Sequence, residues 1–164
     1  MEYSLKFERI EINLEKLLKL LSENKNIQKY IYYLTNNPLL EVDVPIDLID
    51  EGYILPTLYD GGTFEDEMVR VFINPVRGNL EGFTLGDIFY NLDIIVPRLK
   101  WSLKDIGKYR AYRIADEFSR MVDGQDVAGV GEVKIIGFNT TMVSNKQYFC
   151  LSLGIKVKSL TLKG

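Results

Sequence analysis

The sequence predicts an α+β domain: an antiparallel β-sheet with an N-terminal helical hairpin and one long helix packed against it. Three observations carry this. Apolar residues recur at first with the spacing of an amphipathic helix. They then alternate with polar residues, as in half-buried strands. A single further helical stripe separates two sets of alternating runs, an order that suits an antiparallel sheet with helices on one side. With 164 residues, 46% of them apolar, the chain has the length of one domain and enough apolar mass for a core.

Ile10, Leu14, Leu17, Leu18 and Leu21 fall on one stripe of a helix over residues 9–22, with Glu15 and Lys19 paired at i,i+4 on its outer side. Asn24-Lys25-Asn26 breaks the pattern and offers a cap for a second helix, where Ile27, Tyr30, Ile31 and Leu34 repeat the stripe until Asn36-Asn37-Pro38. Residues 9–36 are thus a helical hairpin. Residues 38–66 read as a long loop punctuated by Pro38, Pro45, Pro56, Gly52, Gly61 and Gly62, with at most a helical turn at Ile46 to Ile49.

Residues 67–162 carry the sheet and the long helix. Val69, Val71 and Ile73 mark a strand that Pro75 closes, and Arg77-Gly78-Asn79 reads as a turn, with a second small loop near Gly82. Ile88, Tyr90, Leu92, Ile94 and Val96 alternate along a strand over 84–96, which Pro97 stops. Ile114, Phe118, Met121 and Val122 supply the buried stripe of a helix over 107–122, ended by Gly124. Gly129-Val130-Gly131 is a tight turn feeding a strand with Val133, Ile135 and Gly137 on one face. Ser144-Asn145-Lys146 is a hairpin turn, and Phe149, Leu151, Leu153, Ile155 and Val157 share one face of the last strand.

The residue inventory excludes much chemistry. There is no histidine, so Ser-His-Asp and Cys-His machinery and histidine-containing zinc sites are ruled out. The one cysteine, Cys150, excludes an internal disulfide and reads as an inert packed thiol. Gly129-Val130-Gly131 lacks the third glycine and the following helix of a dinucleotide fingerprint. Asp116 and Glu117 are adjacent on a helix, point in different directions, and make no acid/base pair. Asp60, Glu65, Asp66 and Glu67 form an acidic loop without the ordered spacing of a calcium site. No metal or other cofactor is expected. Met1-Glu2-Tyr3-Ser4-Leu5-Lys6 lacks the basic and apolar regions of an export signal, and no apolar run approaches the ~18 residues that span a bilayer.

Charge is lopsided. Residues 1–96 hold 8 Lys/Arg against 17 Asp/Glu, and residues 97–164 hold 12 against 6. The chain has no overall basic footprint for duplex nucleic acid. Its opposite halves suit a head-to-tail contact between copies. Tyr30, Tyr32 and Tyr33 cluster on the second helix, with Tyr30 on the core stripe and the other two partly outside it, where aromatic side chains favour a subunit contact.

Two stretches resemble a known group. Leu17-Leu18-Lys19-Leu20-Leu21, Asn26-Ile27-Gln28-Lys29-Tyr30-Ile31-Tyr32-Tyr33 and Asn37-Pro38-Leu39 are similar to the opening of small bacteriophage neck proteins. Asp93-Ile94-Ile95-Val96, Lys108-Tyr109-Arg110, Ile114-Ala115-Asp116 and Asp126-Val127-Ala128-Gly129-Val130-Gly131-Glu132-Val133 resemble the strand, helix and Gly-x-Gly strand of the tail-terminator and head–tail connector group. Pro97-Arg98 and the 38–66 loop depart from that pattern. The resemblance implies a virion protein, assembled in the host cytoplasm, that forms a homo-oligomeric ring around the DNA channel. It would join portal, connector or tail-tube proteins, pass DNA without sequence-specific binding, and touch no membrane.

On this reading Tyr32, Tyr33, Glu65, Asp66 and Glu67 of one copy would meet Arg98, Lys100, Lys104 and Arg110 of the next. A small intracellular protein-binding module, an inhibitor or adaptor acting on one partner, is the alternative. A carboxylate–metal enzyme is a third, and it would need several of Asp60, Glu65, Asp66, Asp87 and Asp93 to converge.

Overall fold

The computed structural model describes residues 6–81 and 84–158. Helix α1 (Lys6–Glu23) and helix α2 (Lys25–Tyr32) form the N-terminal hairpin. Asn24 caps α2, its side-chain oxygen accepting from the Ile27 N–H at 2.9 Å, and so satisfies one of the free donors that open a helix. Strands β1 (Ile54–Leu55), β2 (Arg70–Glu81) and β3 (Thr84–Pro97) follow, then helix α3 (Arg110–Val122) and strands β4 (Gln125–Val127), β5 (Gly131–Val143) and β6 (Tyr148–Val157). The strands make one sheet in the order β1-β2-β3-β6-β5-β4. All neighbours are antiparallel except β1 and β2, which run parallel.

The three helices cover one face of the sheet. Leu17 and Leu21 of α1, Ile27 and Ile31 of α2, and Ile114, Phe118 and Val122 of α3 are fully buried against Val71, Ile73, Tyr90, Leu92, Ile94 and Val96. Leu151, Leu153, Ile155 and Val157 complete this layer from β6. Fully burying one such aliphatic side chain contributes about 1.5–3 kcal/mol. The opposite face has a smaller cluster of Phe72, Ile95, Tyr148 and Cys150, roofed by Tyr59 and Phe64 from the loop before β2. That loop therefore lies on the far side of the sheet from the helices.

Several local expectations change. Helix α2 stops at Tyr32, a turn before Asn36, because Tyr33 is already extended. Helix α3 begins at Arg110 and not at residue 107, since Gly107 (φ +77°) and a Ser102–Tyr109 bridge fold residues 102–109 into a small hairpin. The 38–66 segment holds a 3-10 turn at Pro38–Leu40, a turn in which Asp47 Oδ1 accepts from the Ile49 and Asp50 N–H groups, and strand β1. Pro75 does not end β2, and Arg77-Gly78-Asn79 is not a turn. The strand runs on to Glu81 by absorbing irregularities between Pro75 and Arg77 and between Gly78 and Leu80. The loop expected near Gly82 lies outside the described residues. A bulge between Ile135 and Gly137 puts Gly137 opposite Gly154, on the face away from Val133 and Ile135.

Candidate functional site

The sequence-expected interface residues divide into three groups. Arg110 is fully buried. Its Nε donates to the Lys100 carbonyl at 3.0 Å, Nη1 to Tyr30 and Tyr33 at 2.9 and 2.7 Å, and Nη2 to Thr35 at 2.8 Å. Burial lowers its pKa to about 10, so it is still a cation at neutral pH. It clamps the end of α2 from inside and offers no side chain to a neighbouring copy. Tyr32 and Tyr33 are half-buried, their rings 4.9 Å apart and edge-on, and Tyr32 also lies 6.0 Å from the Tyr53 ring.

The acidic residues form the second group. Asp66 is held by a two-pronged ion pair with Arg70, whose guanidinium also sits 4.4 Å from the Phe64 ring. That hydrogen bonding holds the Asp66 carboxyl below its usual range. Glu65 and Glu67 are exposed and have no ion pair among the described residues. They line a cleft of about 360 Å³ shared with Arg98 and Leu99 of the same chain. Arg98 is thus a neighbour of the acidic segment within one copy.

Lys100 and Lys104 form the third group, on the helix side. The Lys104 N–H donates to the Asn36 carbonyl at 3.0 Å and ties the 102–109 hairpin to the chain after α2. Between them opens a cleft of about 220 Å³ lined by Lys104, Lys108, Arg113, Asn36, Asn37 and Leu39, among others. Lys104 and Lys108 have no ion pair among the described residues, and Arg113 Nε is buried without a hydrogen-bond partner there. Sequence reasoning missed Lys108 and Arg113. The basic excess after residue 97 pointed to their half of the chain but not to their convergence.

Of the acids that a metal enzyme would gather, Asp60, Asp66, Asp87 and Asp93 are each engaged separately. Asp60 accepts from the Gly62 N–H at 2.8 Å, Asp87 pairs with Lys156 at 3.2 Å, and Asp93 accepts from Ser152 Oγ at 2.5 Å. Among the described residues no three of His, Cys, Asp and Glu converge as a metal site. Burial pushes the Cys150 thiol up to about 11, far from an activated thiolate. Among the described residues no helix is long and apolar enough to cross a membrane.

Residues 24–157 match the family described as YomW. The chain belongs to the YomW family. The match takes in α2, the whole sheet and both clefts, and leaves out α1. No curated protein matches the sequence of this YomW-family chain. Among solved structures, it is similar to a chain of the "Virion of native gene transfer agent (GTA) particle", at 10% identity and a TM-score of 0.41, covering 76% of this chain and 91% of that one.

Proposed function

We propose that this chain is a structural protein of a phage particle, at the neck or tail end, where copies join head to tail into a ring around the DNA channel. The observation that carries the assembly reading is the placement of unpaired charge. Glu65 and Glu67 lie on the loop side of the sheet, while Lys104 and Lys108 lie on the helix side. One copy does not bring these charges together, so each is left for a neighbour. Opposite patches on different faces make a heterologous contact, which closes into a ring when the rotation per subunit permits. The assignment to a neck or tail end comes from the sequence resemblance to phage neck proteins, and the reading includes no catalytic role.

Light scattering on the purified chain, over a range of salt and concentration, tests the ring. The expected mass is several times the 18.9 kDa subunit, falling as salt rises and screens surface charge. A mass of one subunit under all conditions would overturn it. The virion assignment is tested by mass spectrometry of purified particles from a host that expresses the chain; particles without it would end that assignment.

One observation favours a protein-binding module instead. Strand β4 covers β5 only at Gly131–Val133, and among the described residues no strand pairs with the outer edge of Lys134–Val143. From Ile135 to Val143 that edge has neither charge nor proline, the usual guards against strand addition, and Phe138 is 67% exposed. An extended peptide from a single partner would suit it. A stable one-to-one complex in pull-downs, with no self-association, is the outcome that separates this reading from the ring.

A further inference from the structure

We propose that the helix-side cleft between the end of α2 and the 102–109 hairpin is the receptor for the acidic segment Glu65–Glu67 of a second copy. This rests on the head-to-tail reading above and names the two surfaces that meet. The cleft gathers two cations with no ion pair among the described residues, Lys104 and Lys108, against one acid in its lining, Asp105. The next acids on α3 are already engaged, Asp116 with Arg113 at 3.3 Å and Glu117 with Arg120 at 3.3 Å.

The cleft also has unspent donors. The ammonium groups of Lys104 and Lys108 are exposed and without an ion pair among the described residues, so an incoming carboxylate oxygen can accept charge-assisted hydrogen bonds from them. Asn36 and Asn37 line the same space. Pro38, Leu39 and Leu103 give the cleft apolar lining as well, and Leu39 is 40% exposed. Apolar lining beside cationic groups fits a segment that is both acidic and apolar.

The 56–67 loop has that chemistry. Glu65 and Glu67 are exposed and unpaired among the described residues, and Leu58 on the same loop is exposed. The Asp66–Arg70 pair and the stacking of Phe64 on Tyr59, 5.3 Å between rings, hold the loop in place before any contact forms. A pre-ordered loop loses less entropy on binding. Donor and receptor lie on opposite sides of the sheet, so the contact passes from copy to copy.

The test uses the full-length chain, in an equal mixture of ¹⁴N- and ¹⁵N-labelled protein at low salt. Carbodiimide joins a carboxylate to an amine in direct contact, and mass spectrometry of mixed-isotope peptides identifies links between copies. We expect links from Lys104 or Lys108 to Glu65 or Glu67. The exposed pair of changes K104E/K108E should cut their yield at least tenfold, and adding E65K/E67K in the same chain should restore the assembled mass. An assembling wild type whose links avoid these residues, or whose mass K104E/K108E leaves unchanged, overturns this proposal and spares the ring. A wild type with no links between copies and the mass of one subunit overturns both.

Discussion

Arg110 donates to the Tyr33 carbonyl at 2.7 Å from a position with no exposure to solvent. The same guanidinium serves the carbonyls of Tyr30, Thr35 and Lys100, and among the described residues no carboxylate pairs with it. The free carbonyls at the end of α2 are its counter-charge, since a helix C-terminus carries partial negative charge. This one side chain joins α2, the chain before α3 and α3 itself, and so shapes the wall of the helix-side cleft.

Replacing Arg110 with Met keeps the apolar stem and removes every donor. Several buried carbonyls would then lack partners, at about 1–3 kcal/mol for each buried group left unsatisfied. We expect R110M to lose on the order of 3 kcal/mol or more, and R110K to lose less because its ammonium retains some of the contacts. Urea denaturation of the two variants measures this. An R110M variant as stable as wild type would mean that water or a shifted backbone replaces the clamp.

Tyr90 predicts an alkaline dependence. Its ring is fully buried, its hydroxyl donates to the Ile10 carbonyl at 3.0 Å, and burial raises its pKa from 10.0 to about 12. The unfolded chain releases this proton near pH 10 and the folded chain does so later. The stability tied to the neutral hydroxyl is therefore complete below pH 10 and is lost as pH rises through about 12. At pH 7 Y90F should be less stable by about 1 kcal/mol, the worth of one hydrogen bond. Above pH 10 the gap should narrow, because only the wild type has this group to ionise. Parallel melting curves at pH 7 and pH 11 check the sign.

The Ser144-Asn145-Lys146 turn stores strain. All three residues have positive φ, at 52°, 55° and 63°, a region that costs residues with a side chain roughly 1–2 kcal/mol. Glycine adopts it freely but loses more backbone entropy on folding. For K146G the first effect should win, giving a gain of about 0.5 kcal/mol in urea denaturation. A loss would show that Lys146 makes a stabilising contact elsewhere in the turn.

The fold was legible wherever one period ran long enough. Ile88 to Val96 alternates over five apolar positions, and each proves to be buried on the helix-covered face. The α1 stripe from Ile10 to Leu21 packs on the core in the same way, and Asn24 caps α2 as its side chain suggested. What failed was local. Pro75 and Gly78 normally break strands, but β3 supplies a continuous template, and bulges absorb the misfit. The bulge at Ile136 then flips Gly137 to the other face, which no alternation rule foresees. Strand β1 is two residues long and so has no period to read.

The candidate site was less legible because charge says nothing about depth. Arg110 looked like any other basic residue of the second half, yet it is the one the fold encloses. Lys108 and Arg113 flank it in sequence by two and three residues and reach the cleft surface. The small hairpin before α3 brings Lys108 to the cleft, and the turn of the helix brings Arg113 there while Arg110 is enclosed, relations that appear only once the helix start at Arg110 is known.

Asp66 connects acid stability to assembly. Hydrogen bonding from Arg70 lowers its pKa, so its contribution is present above the ordinary carboxylate range and lost as pH falls through the lowered value. Asp66 is partly exposed, so global stability should change little when the pair breaks. The local effect should be larger, because Arg70 also sits on the Phe64 ring, and Phe64 stacks with Tyr59 and meets Tyr148 at 5.2 Å. With Asp66 protonated, the loop that presents Glu65 and Glu67 loses its anchor. D66N should reproduce at pH 7 what acid does to wild type: a near-unchanged melting temperature, but faster amide exchange across 59–67. D66N leaves Glu65 and Glu67 in place but removes one negative charge beside Arg70, so a fall in its assembled mass is assigned to loop order only where amide exchange across 59–67 rises with it. An unchanged exchange rate would mean that the aromatic stack alone orders the loop, and assembly should then be indifferent to Asp66.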